Sequence, residues 1–79
     1  MLDIEVDQVV LYGEKRSIGL VTEIRVIDTA KFVQKFSGDA EKVMVRIRTQ
    51  LGTASIWAKE HEITEVSKHD AKEFKLKLK

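Results

Sequence analysis

The sequence predicts a mainly β domain: five strands closing into a small barrel, with a short helix in the loop between the second and third strands. Three observations carry this. Apolar residues recur at every second position over long stretches, as in Leu2, Ile4, Val6 and again in Val43, Val45, Ile47, the spacing of half-buried strands. Gly13 and Gly52 stand at polar breaks between such runs, where turns form. The chain has 79 residues and no cysteine, so a small core without disulfide staples must close its backbone hydrogen bonds efficiently, and a barrel leaves few open edges.

The elements follow in order. Leu2, Ile4 and Val6 alternate with Asp3, Glu5 and Asp7, and the run continues through Val9, Val10, Leu11 and Tyr12 as the first strand. Gly13-Glu14-Lys15-Arg16 is a polar turn. The second strand runs from Ser17 to Ile27; unbroken alternation places Leu20, Thr22, Ile24 and Val26 on one face, and Gly19 fits a close backbone approach in a bent strand. Residues 28–40 carry Ala30, Val33 and Phe36, with Phe32, at helical spacing. Asp28 or Thr29 is placed to cap the start of a helix and Ser37-Gly38 its end. A hairpin arm is the second reading of this stretch, because Phe32, Gln34 and Phe36 also fit period two. Residues 41–50 form the clearest strand, with Val43, Val45, Ile47 and Thr49 facing one way and Met44, Arg46, Arg48 and Gln50 the other. Gln50-Leu51-Gly52 suits a three-residue hairpin loop with glycine at positive φ. Thr53–Ala58 returns as the fourth strand, Lys59–Glu62 reads as a tight turn of helix, and Ile63–Val66 is a short fifth strand. Residues 1–67 thus form the barrel domain, and 68–79 a basic tail or an added strand.

The charge is nearly balanced at +1 overall, so no global field attracts polyanions. Residues 1–40 hold five basic and seven acidic side chains, and residues 41–79 nine and six. The acidic alternation at residues 2–7 and the basic alternation at residues 74–79 are complementary as paired strands, within one chain or in a homodimer through the termini. Neither a leader pattern nor a membrane-spanning apolar run is present, and the expectation is a soluble cytoplasmic protein. His61 and His69 lie among Glu60, Glu62, Glu65 and Asp70 without a fixed ligand spacing; a solvated charged surface is expected there, with no metal and no cofactor. No nucleophile elbow or glycine-rich phosphate motif occurs, which argues against an enzyme.

Asp7, Val9, Gly19, Val21, Ile24, Gly52 and the ending from Glu62-Ile63 to Val66 together resemble the SH3-like barrels of the KOW and Tudor-like group. The stretch Lys59-Glu60-His61-Glu62-Ile63-Thr64 is similar to small SH3-like proteins encoded by phages and prophages of Gram-positive bacteria. The resemblance covers residues 6–67 and implies a non-enzymatic binding module, phage- or prophage-encoded, that modulates a host factor or serves in an assembly, acting in the host cytoplasm. With one Trp, one Tyr and three Phe, the chain lacks the surface aromatics that polyproline clamps and methyl-lysine cages need.

Two sets of candidate residues follow. Contact with an unidentified protein partner would use Phe32 and Phe36 in the long loop, with Arg46 and Arg48 beside them. The alternative is a KOW-like nucleic-acid interface of Lys15, Arg16, Lys42, Arg46, Arg48 and Trp57, joined by the lysines of the tail. The orientation of Trp57 hangs on hairpin register. A three-residue loop pairs Val45 with Trp57 and sends the indole into the core, the favoured reading because a lone Trp in a small domain usually packs. A two-residue loop leaves the indole outside near Arg46, as a platform for a base.

Overall fold

The computed structural model of the chain describes residues 2–27, 31–38, 42–59 and 61–78. It contains eight strands, β1 Leu2–Glu5, β2 Val9–Tyr12, β3 Ser17–Val26, β4 Lys31–Val33, β5 Lys35–Gly38, β6 Val43–Thr49, β7 Gly52–Trp57 and β8 Ile63–Glu65, followed by one helix, α1 Lys68–Lys77. The mainly β expectation holds. All strand pairs are antiparallel. The larger sheet has the order β7-β6-β3-β2-β8, with β4 attached to β3; β1 and β5 make a separate two-stranded ribbon.

The expected closure into a barrel is not found among the described residues. β7 and β8 stand at opposite ends of the sheet order without pairing. The β1–β5 ribbon packs onto the core, placing Ile4 within it and Phe36 against it. The ribbon exists because the first long strand breaks. Asp7 adopts φ 78°, Gln8 N–H donates to the Glu5 carbonyl at 3.2 Å, and the Gln8 side-chain oxygen accepts from Glu5 N–H at 3.2 Å. This turn frees residues 2–5 to pair with Lys35–Gly38.

The helix expected between the second and third long strands is replaced by β4 and β5. Thr29 and Ala30, and the cap candidate Asp28, lie outside the described residues. The helical spacing of Val33 and Phe36 has a different cause: the two strands meet at a bend at Gln34, so both residues turn toward the core while Gln34 and Lys35 face water. Val6 N–H donates to the Gln34 carbonyl at 2.7 Å and fixes the bend. The backbone groups a helix would use internally are spent on β3 and β1.

Alternation in the second long strand is also interrupted. The β3–β6 register shifts between Val21 and Glu23, so Gly19 and Val21 face the core before the bulge, and Ile24 and Val26 after it. A bulge inserts one residue and swaps faces. Gly19 is needed there: a Cβ on it would run into the Ile47 Cγ2 methyl and lie 3.3 Å from the Arg48 carbonyl oxygen.

Residues 68–77 form neither a tail nor an added strand but α1. Ser67 caps it, its hydroxyl accepting from Asp70 N–H at 3.2 Å. Phe74 is buried, 5% exposed, over the outer face of the β2–β3 hairpin, where it shares a cleft of about 310 Å³ with Leu11 and Ile18. The fold therefore has two apolar layers. The main one lies inside the sheet, around the fully buried Ile24, Ile47 and Val45, each contributing about 1.5–3 kcal/mol relative to exposure. The smaller one lies between sheet and helix. The two ends of the chain do meet, through Lys75 Nζ and Asp7 Oδ2 at 3.3 Å, not through strand pairing. Among the described residues no helix is long and apolar enough to cross a membrane.

Candidate functional site

The β6–β7 hairpin decides what the outer face displays. Thr49 pairs with Gly52, so the loop has two residues, Gln50 and Leu51, and the expected three-residue register is off by one. Gly52 does take positive φ, at 140°. Thr49 Oγ1 holds the turn, accepting from Leu51 N–H at 3.2 Å and donating to the Gly52 carbonyl at 3.0 Å. With this register Ile56 enters the core opposite Val45, and Trp57 points outward opposite Met44. The favoured core position of Trp57 is thus corrected. So is its expected facing of Arg46, whose partner is Ser55.

Three cross-strand rows result on the outer face of β3, β6 and β7. Arg25, Met44 and Trp57 form one; Glu23, Arg46 and Ser55 the next; Leu20, Arg48 and Thr53 the third. Directly opposed side chains in such rows lie within contact range. Trp57 is 37% exposed and Met44 is half-buried. The face joins an aromatic ring and a thioether to flanking guanidinium groups.

Its electrostatics turn on Glu23. One carboxylate oxygen meets Arg25 Nη2 at 3.3 Å, and the other lies 3.9 Å from Arg46 Nη1. Two cations share one anion, leaving about one net positive charge around the row. Thr22, at the bulge, donates its hydroxyl to the Arg46 carbonyl at 3.2 Å and so ties the two strands beneath this cluster. Arg48 is turned elsewhere: its Nη2 donates to the Leu78 carbonyl at 3.2 Å. Basic side chains satisfy helix C-terminal carbonyls favourably, so Arg48 holds α1 against the sheet.

The other sequence-predicted residues do not gather at this face. Arg16, half-buried, donates from Nη1 to the Glu62 carbonyl at 3.1 Å and from Nη2 to Thr64 Oγ1, clamping the β2–β3 turn to the approach to β8. Lys15 is exposed on that turn. Lys42 is exposed at φ 60°, and its carbonyl accepts from Ile27 N–H at 2.9 Å. Phe36 packs against the core. Phe32 pairs in register with Arg25; its side chain lies outside the described residues. Sequence reasoning missed Arg25, Met44 and Glu23 as a unit. Period two puts Glu23 with Arg25, and Met44 with Arg46, but only the register between strands sets them side by side.

His69, Asp70 and Glu73 offer ligand atoms within 4.8 Å of one another, all exposed on α1. His69 and Glu73 form an i,i+4 pair at 3.9 Å, the ordinary arrangement of a helix surface. His61 donates from Nδ1 to the Trp57 carbonyl at 3.2 Å, which holds the end of β7.

No family model matches the sequence, and no curated protein and no solved structure matches the chain.

Proposed function

We propose that the chain is a non-enzymatic binding module on an SH3-like, half-open barrel, and that it contacts a protein partner through the outer face of β3, β6 and β7. The observation that carries the reading is Trp57, 37% exposed on that face beside Met44, with Arg25 and Arg46 flanking. Trp, Met and Arg are the residue types enriched in interface cores. The SH3-like topology is supported by β2 and β8, the first and last of the five expected strands, lying side by side, and by the long bulged β3.

A nucleic-acid interface is the weaker reading because the three arginines of its set are engaged within the chain. Arg25 and Arg46 share Glu23, Arg48 serves α1, and Arg16 clamps the β8 approach. Few phosphate contacts give weak, salt-sensitive binding. Immobilised chain separates the two readings. A protein partner is expected to be captured at high salt and to lose at least about tenfold in affinity with Trp57→Ala and with Met44→Lys. Retention on DNA or heparin that collapses at moderate salt, with no such partner, would replace this reading by the nucleic-acid one.

A further inference from the structure

β7 ends the larger sheet, and the backbone groups on its far side have no strand partner among the described residues. Which groups these are follows from one bond. Ala58 N–H donates to the Val43 carbonyl at 2.9 Å, so residues 52, 54, 56 and 58 direct their N–H and C=O groups into β6 by antiparallel alternation. Thr53, Ser55 and Trp57 direct theirs outward. The Trp57 carbonyl is already taken by His61.

Natural edge strands are shielded by shortness, charge, proline or bulges. β7 has six residues, Gly-Thr-Ala-Ser-Ile-Trp, with no charge and no proline, and its pairing with β6 runs without a bulge. Other edges are guarded: β8 is three residues long and ends in Glu65, and β1 carries the exposed Asp3 and Glu5. Leu51, wholly exposed, precedes β7 at the hairpin tip, and Trp57 closes it.

We propose that two copies of this chain pair antiparallel through their β7 edges, about a two-fold axis at Ala54. Thr53 then meets Ser55 of the second copy, and Ser55 meets its Thr53; all four residues aim their backbone groups outward, giving two reciprocal hydrogen-bonded pairs. The same register brings Leu51 beside Trp57 of the second copy, and the reverse, so the two exposed apolar side chains of this edge cover each other. Beyond them the ladder stops, because Leu51 N–H and the Trp57 carbonyl are bonded within each copy. Charge selects a second copy at this edge: residues 49–58 hold no ionisable side chain, so like copies meet without repulsion, whereas β1 against β1 would set carboxylates together. The dimer covers part of Trp57, the ring that also carries the proposed partner face, whereas Leu51 belongs to the dimer contact alone.

Sedimentation across a wide concentration range tests this. The wild-type chain is expected to move from monomer to dimer as concentration rises. Ser55→Pro removes an outward amide while leaving the β6 pairing intact, as proline allows on an edge. Leu51→Asp alters a side chain that is wholly exposed in the monomer. Each is expected to weaken dimerisation at least about tenfold, with circular dichroism of the Leu51→Asp monomer unchanged. A wild-type chain that stays monomeric at every concentration would overturn the proposal. So would a dimer equally strong in Leu51→Asp, or one that responds only to changes in α1.

Discussion

Two glycines show how differently one residue type acts in this chain. At Gly19 the constraint is space, because the Ile47 methyl and the Arg48 carbonyl occupy the place of a side chain. At Gly52 the constraint is φ, 140°, with no atom within 4 Å of an added Cβ. Gly19→Val is expected to cost about 3 kcal/mol or more, since the bulged strand must move away from β6. Gly52→Val is expected to cost about 1–3 kcal/mol from backbone strain alone, and Lys15→Ala close to nothing. Urea midpoints of the three variants give the order directly; equal midpoints would contradict it. Both glycine roles were legible in the sequence, because a glycine inside an alternating run and one at the break between two such runs have few other uses. The orientation of Trp57 was not. Two-residue and three-residue loops differ by one position, and that position sends either Ile56 or Trp57 inward. Both are apolar, so composition could not choose; the turn held by Thr49 Oγ1 does.

At the level of elements, the sequence misled where one stretch satisfies two periods. Phe74, Leu76 and Leu78 alternate with lysines as a strand would, yet Ala71, Phe74 and Leu78 also share a helix face. The signal for the helix was Ser67, three residues before Asp70, whose amide it caps. The acidic strand expected to receive it, β1, pairs with β5 instead. The two structures imply different substitution patterns. In a strand, Phe74, Leu76 and Leu78 would be buried together. In α1, Phe74 is 5% exposed and Leu76 60%. Phe74→Ala is therefore expected to cost about 3 kcal/mol, Ser67→Ala about 1 kcal/mol, and Leu76→Ala almost nothing. Thermal unfolding of the three variants tests the pattern, and a large loss in Leu76→Ala would speak for the strand. The segment at residues 31–38 erred in the opposite direction. There the bend at Gln34 made two short strands imitate helical spacing, which no single-strand pattern can reveal.

On the scale of the whole molecule, the two apolar layers differ in how much holds them. The inner layer is built by residues from β1, β2, β3, β6, β7 and β8, so opening any strand exposes the others. The outer layer rests on Phe74, with the exposed Lys75–Asp7 pair and the Arg48–Leu78 bond at its margins; exposed pairs of this kind add about 0–1 kcal/mol and fade with salt. Helix α1 is thus expected to open before the sheet does. Amides of Ile24, Val45 and Ile47 should exchange most slowly, at the rate of global unfolding, and those of residues 72–77 faster, through local release of the helix. High salt should leave α1 docked, because Phe74 over Leu11 and Ile18 supplies most of its attachment. Ending the chain at residue 67 should remove about 3 kcal/mol, a large share of the roughly 4–12 kcal/mol that a domain of this size commands, and lower the melting temperature by about 12–24 °C. The strand signals should survive, because no residue of α1 enters the inner layer. Equal exchange rates for α1 and β6, or loss of the sheet on truncation, would show instead that the two layers fold as a single unit.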